Sequence, residues 1–132
     1  PNGAPFNAKP LDGKWVLVSY DDGACAEACE KKLYFTRQVR TAQGRDQDRV
    51  ERLWVRTSPA AVRPEAEPLV AGLHVMHVAG AQAPVALPGD AAKHIYLMDP
   101  MGNVMLRFPE DPNPKRMIAD IQKLLRVNNR VN

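Results

Sequence analysis

The two cysteines of the chain, Cys25 and Cys29, are four residues apart. An apolar run at 15–20 predicts a buried strand before them, and the residues after them predict a helix. Residues four apart on a helix share a face, so the sulfurs can close a disulfide or bind one metal ion. Unpaired backbone N–H groups and the positive end of the dipole at a helix start stabilise a thiolate. The alternative is two small, buried, apolar residues.

Within this pair we expect Cys25 to be the more exposed and reactive sulfur. Cys29 would be the buried resolving thiol, on the apolar side of the helix. Two aspartates precede the pair and would disfavour a nearby thiolate, whereas two lysines follow it and would favour one. The sequence leaves the sign of the combined effect open.

Three histidines, His74, His77 and His94, could complete a metal site. Two thiolates and one imidazole suit copper, because thiolates bind Cu(I) and Cu(II) needs nitrogen donors. His94, just before a predicted strand, is the candidate third ligand, with an ordinary strand or loop histidine as the alternative. His74 and His77 lie in one predicted strand at an odd offset, so at most one of them can face the cysteines.

Alternation and helical spacing predict an α/β chain of five strands and two long helices. The strands are expected at 14–20, 50–57, 73–78, 94–98 and 104–108, and the helices at 26–41 and 114–127. Three prolines break any helix at 58–68, residues 80–93 form a loop, and residues 99–103 form a turn. Parallel strands joined by crossovers and closed by a hairpin and a helix describe a thioredoxin-like fold. We expect one domain over residues 1–132, with an extended lead-in at 1–13.

The composition of the 132 residues, with 45% hydrophobic residues, 25% charged residues and a net charge of +3, is that of a globular domain. No basic stripe is interleaved with aromatic residues, so we expect no nucleic-acid binding. The arginines of the middle of the chain are expected on a solvated helix and loop surface; they are Arg37, Arg40, Arg45, Arg49 and Arg52. Because the chain opens without Met, we expect an N-terminal segment to be missing from it.

Two motifs resemble the Sco/SenC proteins. The first motif is the run GKWVLV at 13–18 followed by Cys25-x-x-x-Cys29. The second is IYLMDPMGN at 95–103, which is similar to the hairpin motif of that family. The resemblance covers residues 11–127. The chain departs from the family where Asp90 is followed by Ala91 at the place of the copper-binding histidine, and His94 is the nearest histidine.

The resemblance implies a thioredoxin-like protein that is tethered to the membrane outside the cytoplasm, in bacteria in the periplasm. It implies a copper metallochaperone or thiol-disulfide reductase that acts on the copper site of cytochrome c oxidase. Cys25 and Cys29 would be the redox and copper-binding residues, with His94 as the third ligand. The partner would be the copper-site subunit of the oxidase or another copper or thiol assembly protein. The alternatives are a thiol-disulfide oxidoreductase without a copper role and a non-catalytic interaction domain with a structural disulfide.

Overall fold

The structure is a computed structural model that describes residues 13–21, 25–57, 61–77 and 93–127. The strands are β1 (Trp15–Asp21), β2 (Val50–Arg56), β3 (His74–His77), β4 (Ile95–Met98) and β5 (Val104–Phe108). The helices are α1 (Glu27–Thr41), the four-residue α2 (Glu67–Val70) and α3 (Pro114–Val127). Most of the predicted lead-in and of the predicted loop at 80–93, including Asp90 and Ala91, lies outside the described residues.

Within the described ranges the strands form a five-stranded mixed sheet in the order β3-β2-β1-β4-β5. β1, β2 and β3 are parallel, and α1 crosses over from β1 to β2. β4 pairs antiparallel with β1, and β5 returns antiparallel to β4. The predicted strands and both long helices are therefore present, in the predicted order.

Proline decides the form of the segment between β2 and β3. Pro64 opens a single 3-10 turn, Pro64–Ala66, and Pro68 lies in the first turn of α2. Proline is tolerated at the start of a helix because the N–H it lacks would have no partner there. The prediction of a short or broken helix in this segment is confirmed.

The described side chains form three buried clusters. Trp15, Leu17, Val39, Val50, Ile95, Leu97, Phe108, Met117, Ile121 and Leu125 pack between one face of the sheet and the helices α1 and α3. The opposite face carries Val16, Val18, Tyr20, Leu53, Val55 and Tyr96. The third cluster contains both cysteines with Leu33, Trp54 and Ala66. The first cluster fixes α1 on the sheet and thereby positions the third.

The prediction that Arg52 lies on a solvated surface is wrong. Arg52 is only 4% exposed, because strand alternation turns it to the helix-covered face of β2. Its guanidinium donates to Leu33 O at 2.9 Å and to Leu69 O at 3.2 Å. Burial lowers its pKa to about 10, with smaller contributions from the positive charges of Arg37 and Arg40. Arg52 thus links β2 to the carbonyls of both α1 and α2.

Candidate functional site

Cys25 and Cys29 form a disulfide at the start of α1, with their Cα atoms 4.9 Å apart. Cys25 lies directly before the N-cap residue Ala26, and Cys29 lies in the first turn of the helix. Cys25 has a left-handed φ of 55°, which lets the chain turn sharply into the helix. The prediction that the two sulfurs meet at the helix start, close enough to bond, is confirmed.

Both sulfurs are buried, so the prediction that Cys25 is the more exposed is wrong. The exposed fraction is 0% for Cys25 and 2% for Cys29. Ala66, from the segment between β2 and β3, is packed in the same cluster. The partly buried side chains around it are Val62, Leu69, Val70, Leu73 and Val75. This segment, which is distant in sequence, packs with the cysteines, and their spacing does not encode that packing.

Two polar side chains next to the disulfide have no hydrogen-bond partner among the described residues. They are the indole Nε1 of Trp54, which is in the cysteine cluster, and the hydroxyl Oγ of Ser19, its register neighbour on β1. Trp54 is 0% exposed and Ser19 is 1% exposed. The guanidinium carbon of Arg56 lies 5.1 Å from the Trp54 ring centroid and so places a cation over the ring. Nothing in the spacing of Trp54 distinguishes it in sequence from other core aromatic residues.

A buried ion pair joins one residue before the cysteines to one residue after them. Lys32 Nζ lies 2.5 Å from Asp21 Oδ2 and also donates to the Tyr20 carbonyl at 3.3 Å. The side chains of Lys32 and Asp21 are 7% and 15% exposed. One lysine and one aspartate that flank the cysteines in sequence are thus bound to each other.

His94 lies at the end of the sheet where β1 finishes, because Ile95, the residue after it, pairs with Ser19 across the antiparallel strands. Its Nδ1 is 2.8 Å from the carbonyl oxygen of Phe108. A carbonyl only accepts, so this contact assigns the proton to Nδ1 and leaves the lone pair of a neutral ring on Nε2. A histidine that ligates a metal through Nε2 has this arrangement. The ring packs edge-on against Tyr96, which faces the side of the sheet away from Trp54.

His74 lies on the same side of the sheet as His94, with Nε2 3.3 Å from Glu51 Oε1. His77 occupies the β3 position that pairs with Arg56. Across the described residues, no three His, Cys, Asp or Glu side chains form a group that could hold a metal ion. The structure therefore brings the two sulfurs together but does not bring His94 or His74 to them. His94 as a third ligand stays a prediction.

The fold is shared with solved Sco structures. Yeast Sco1 is 18% identical with a TM-score of 0.63, and the match covers 92% of this chain and 90% of that one. Copper-bound ScoI of Bradyrhizobium japonicum is 21% identical with a TM-score of 0.58, covering 87% of each chain. A SCO1/SenC family lipoprotein from Bacillus anthracis is 17% identical with a TM-score of 0.60, covering 93% and 88%. The resemblance to Sco/SenC proteins is confirmed at the level of the fold.

A search of curated protein sequences finds no match to the chain. Of the helices that the structure describes, none has the length and apolar character needed to cross a membrane. The family model described as "Transmembrane-like, thioredoxin-like, C-terminal domain" matches residues 15–128, which include every described strand and nearly all of the described chain. The thioredoxin-like α/β fold is thereby confirmed, and the chain belongs to this family of transmembrane-like, thioredoxin-like C-terminal domains.

Proposed function

We propose that this protein is a Sco-like thiol-redox and copper protein that acts outside the cytoplasm, tethered to the membrane, in assembly of the copper site of cytochrome c oxidase. The observation that carries the proposal is the Cys25–Cys29 pair at the start of α1, in a fold shared with the Sco structures. The partner would be the copper-site subunit of the oxidase or another protein of copper or thiol assembly.

Copper would be the cargo of the reduced protein. Reduction of the disulfide yields two thiolate ligands, which suit Cu(I) in a two-coordinate site. Cu(II) requires a nitrogen donor, and the Nε2 of His94 is a nitrogen with a free lone pair at the end of the sheet where β1 finishes. Because His94 and the cysteines face different sides of the sheet, a Cu(II) site needs a rearrangement around His94. Cu(I) binding does not need one.

A thiol-disulfide oxidoreductase without a copper role is the second candidate. The disulfide between the cysteines and the lack of a three-ligand group among the described residues favour it. In this reaction the reduced pair would give two electrons and two protons to a disulfide of the partner and would itself close to Cys25–Cys29. The deep burial of both sulfurs favours a third candidate, an interaction domain with a structural disulfide.

Anaerobic titration of the fully reduced protein with Cu(I) and, separately, with Cu(II) tests the proposal. We expect one Cu(I) per chain, lost in Cys25→Ser and Cys29→Ser. We expect weak Cu(II) binding without strong sulfur-to-copper charge-transfer absorption. His94→Ala and His74→Ala form a matched pair. A coloured Cu(II) complex lost in the first variant alone assigns His94 as a ligand, and one lost in the second assigns His74.

Two results contradict the copper role. Failure of the reduced protein to bind either ion, with exchange between its thiols and a disulfide substrate intact, supports the oxidoreductase. A disulfide that glutathione at cellular potentials does not reduce supports the structural role, because structural disulfides have low reduction potentials.

A further inference from the structure

We propose that the indole N–H of Trp54 donates a hydrogen bond to the Cys29 thiolate when the disulfide is reduced, and so stabilises the reduced protein. This inference rests on the proposed function, because it requires the cysteines to alternate between disulfide and thiols. It begins from the buried indole nitrogen of Trp54, which has no hydrogen-bond partner among the described residues.

The packing of α1 on β2 places Cys29 level with Trp54. Arg52 bonds Leu33 O at 2.9 Å and Thr36 Oγ1 at 3.1 Å, which fixes this turn of α1 over position 52 of β2. α1 returns the chain from β1 to a parallel β2, so it runs against the direction of both strands. Four residues back along the helix, from Leu33 to Cys29, are about 6 Å. Two residues forward along the strand, from Arg52 to Trp54, are about 6.6 Å and return to the same face.

Contacts in the buried core agree with this placement. Trp54, Leu33 and both cysteines belong to one buried cluster. The indole and the disulfide therefore share one buried environment.

The chemistry of the two redox states differs at this donor. The indole nitrogen is a donor only, and the sulfurs of a disulfide accept hydrogen bonds weakly. A buried donor without a partner destabilises the oxidised protein. A thiolate is a charged acceptor and makes a stronger hydrogen bond, which lowers the free energy of the reduced state. The N–H group thus disfavours the oxidised protein and favours the reduced protein.

A dithiol reductant gives two electrons to the disulfide, the sulfur–sulfur bond breaks, and the reductant closes to its own disulfide. Of the two protons it releases, one goes to the Cys25 sulfur and one goes to solvent. Cys29 remains as the thiolate at the first turn of α1, where the helix N-terminus and Trp54 both face it with N–H groups.

Trp54→Phe tests the inference, because it keeps an aromatic ring and removes the N–H. We expect the equilibrium constant for reduction by dithiothreitol at pH 7 to fall about tenfold, which lowers the midpoint by about 30 mV. Trp15→Phe is the matched control, since Trp15 is also buried at 3% exposure but lies at the far end of β1 in the α1–α3 core. We expect the control to leave the midpoint unchanged.

The indole proton signals of the unmutated protein give a test that is independent of any variant. On reduction, we expect the Trp54 N–H resonance to move downfield and to exchange more slowly, while the Trp15 resonance changes little. If Trp54→Phe has the wild-type midpoint, or if the Trp54 resonance stays in place on reduction, the inference is wrong while the thiol-redox function stands. If dithiothreitol fails to reduce the disulfide at all, both the inference and the proposed function are wrong.

Discussion

Breaking the buried Lys32–Asp21 ion pair should destabilise the protein strongly. The two atoms are 2.5 Å apart, and the side chains are 7% and 15% exposed. Removing one partner of a buried ion pair takes the opposite charge away from the other, at a cost of about 3–5 kcal/mol. Because the Asp21 carboxylate keeps some access to solvent, we expect Lys32→Met to lower the free energy of unfolding by about 3 kcal/mol.

The adjacent residue, Lys31, offers a control with a similar nitrogen–oxygen distance and different burial. Lys31 Nζ lies 2.6 Å from Asp111 Oδ1, but these side chains are 54% and 81% exposed. Solvent screens an exposed pair, so we expect Lys31→Met to change stability little. The two variants remove the same side chain from neighbouring positions of α1 that differ chiefly in burial, although Lys32 also donates to the Tyr20 carbonyl.

Urea denaturation of oxidised Lys32→Met, Asp21→Asn and the double variant gives a double-mutant cycle for the ion pair. Asp21→Asn alone leaves the Lys32 ammonium buried, whereas the double variant removes both charges. We therefore expect the double variant to lose less stability than the two single variants together, with a coupling energy of about 1–2 kcal/mol. Equal costs for Lys31→Met and Lys32→Met, or strict additivity in the cycle, would refute the argument that burial sets the strength of this pair.

Two further variants test the turn and the buried arginine. Burial of Asp99 opposes ionisation, but hydrogen bonds from Asn103, Met101 and Gly102 outweigh it, and the pKa of Asp99 is lowered. Its contribution is therefore present above the unfolded-state pKa and is lost as the pH falls through the folded-state pKa. Asp99→Asn should cost about 1 kcal/mol at pH 7 and flatten the acid dependence of thermal unfolding. Arg52→Met should lower the free energy of unfolding by about 2 kcal/mol and speed amide exchange in α2, because Leu69 O loses a charged donor.

The elements of the fold were predictable because their signals are local. The run at 15–20 is apolar at nearly every position, and glycine and aspartate bound it, which is typical of a buried central strand. The hairpin of β4 and β5 follows from a turn in which Asp99 accepts the backbone N–H groups of Met101 and Asn103. The meeting of the cysteines is also local, but it does not come from a shared helix face, because Cys25 precedes the N-cap and its left-handed φ turns it toward Cys29 in the first turn of α1.

The environment of the site was not predictable, since contacts distant in sequence set it. Arg52 lies in the predicted strand at 50–57, but its burial depends on the packing of α1 and α2 over that face of β2. Cys25 is packed in one buried cluster with Ala66, which is about forty residues away in the chain. The tautomer of His94 depends on the carbonyl of Phe108, which the pairing of β4 with β5 places beside it.

Because both sulfurs are buried, the three candidate functions differ in how readily a partner's thiolate can reach the disulfide, and not in thiol chemistry alone. A thiolate must reach a sulfur atom to exchange with it, so the oxidised pair can react only when its surroundings open. Among the described residues, the segment that carries Ala66 is fastened to α1 by a partly exposed ion pair, Arg63 to Glu30 at 3.3 Å, and to β2 by the Leu69–Arg52 bond. α1 is held by the α1–α3 core, so we expect the segment to open more readily than α1. A copper carrier or reductase requires that opening to be frequent, whereas a structural disulfide requires it to be rare.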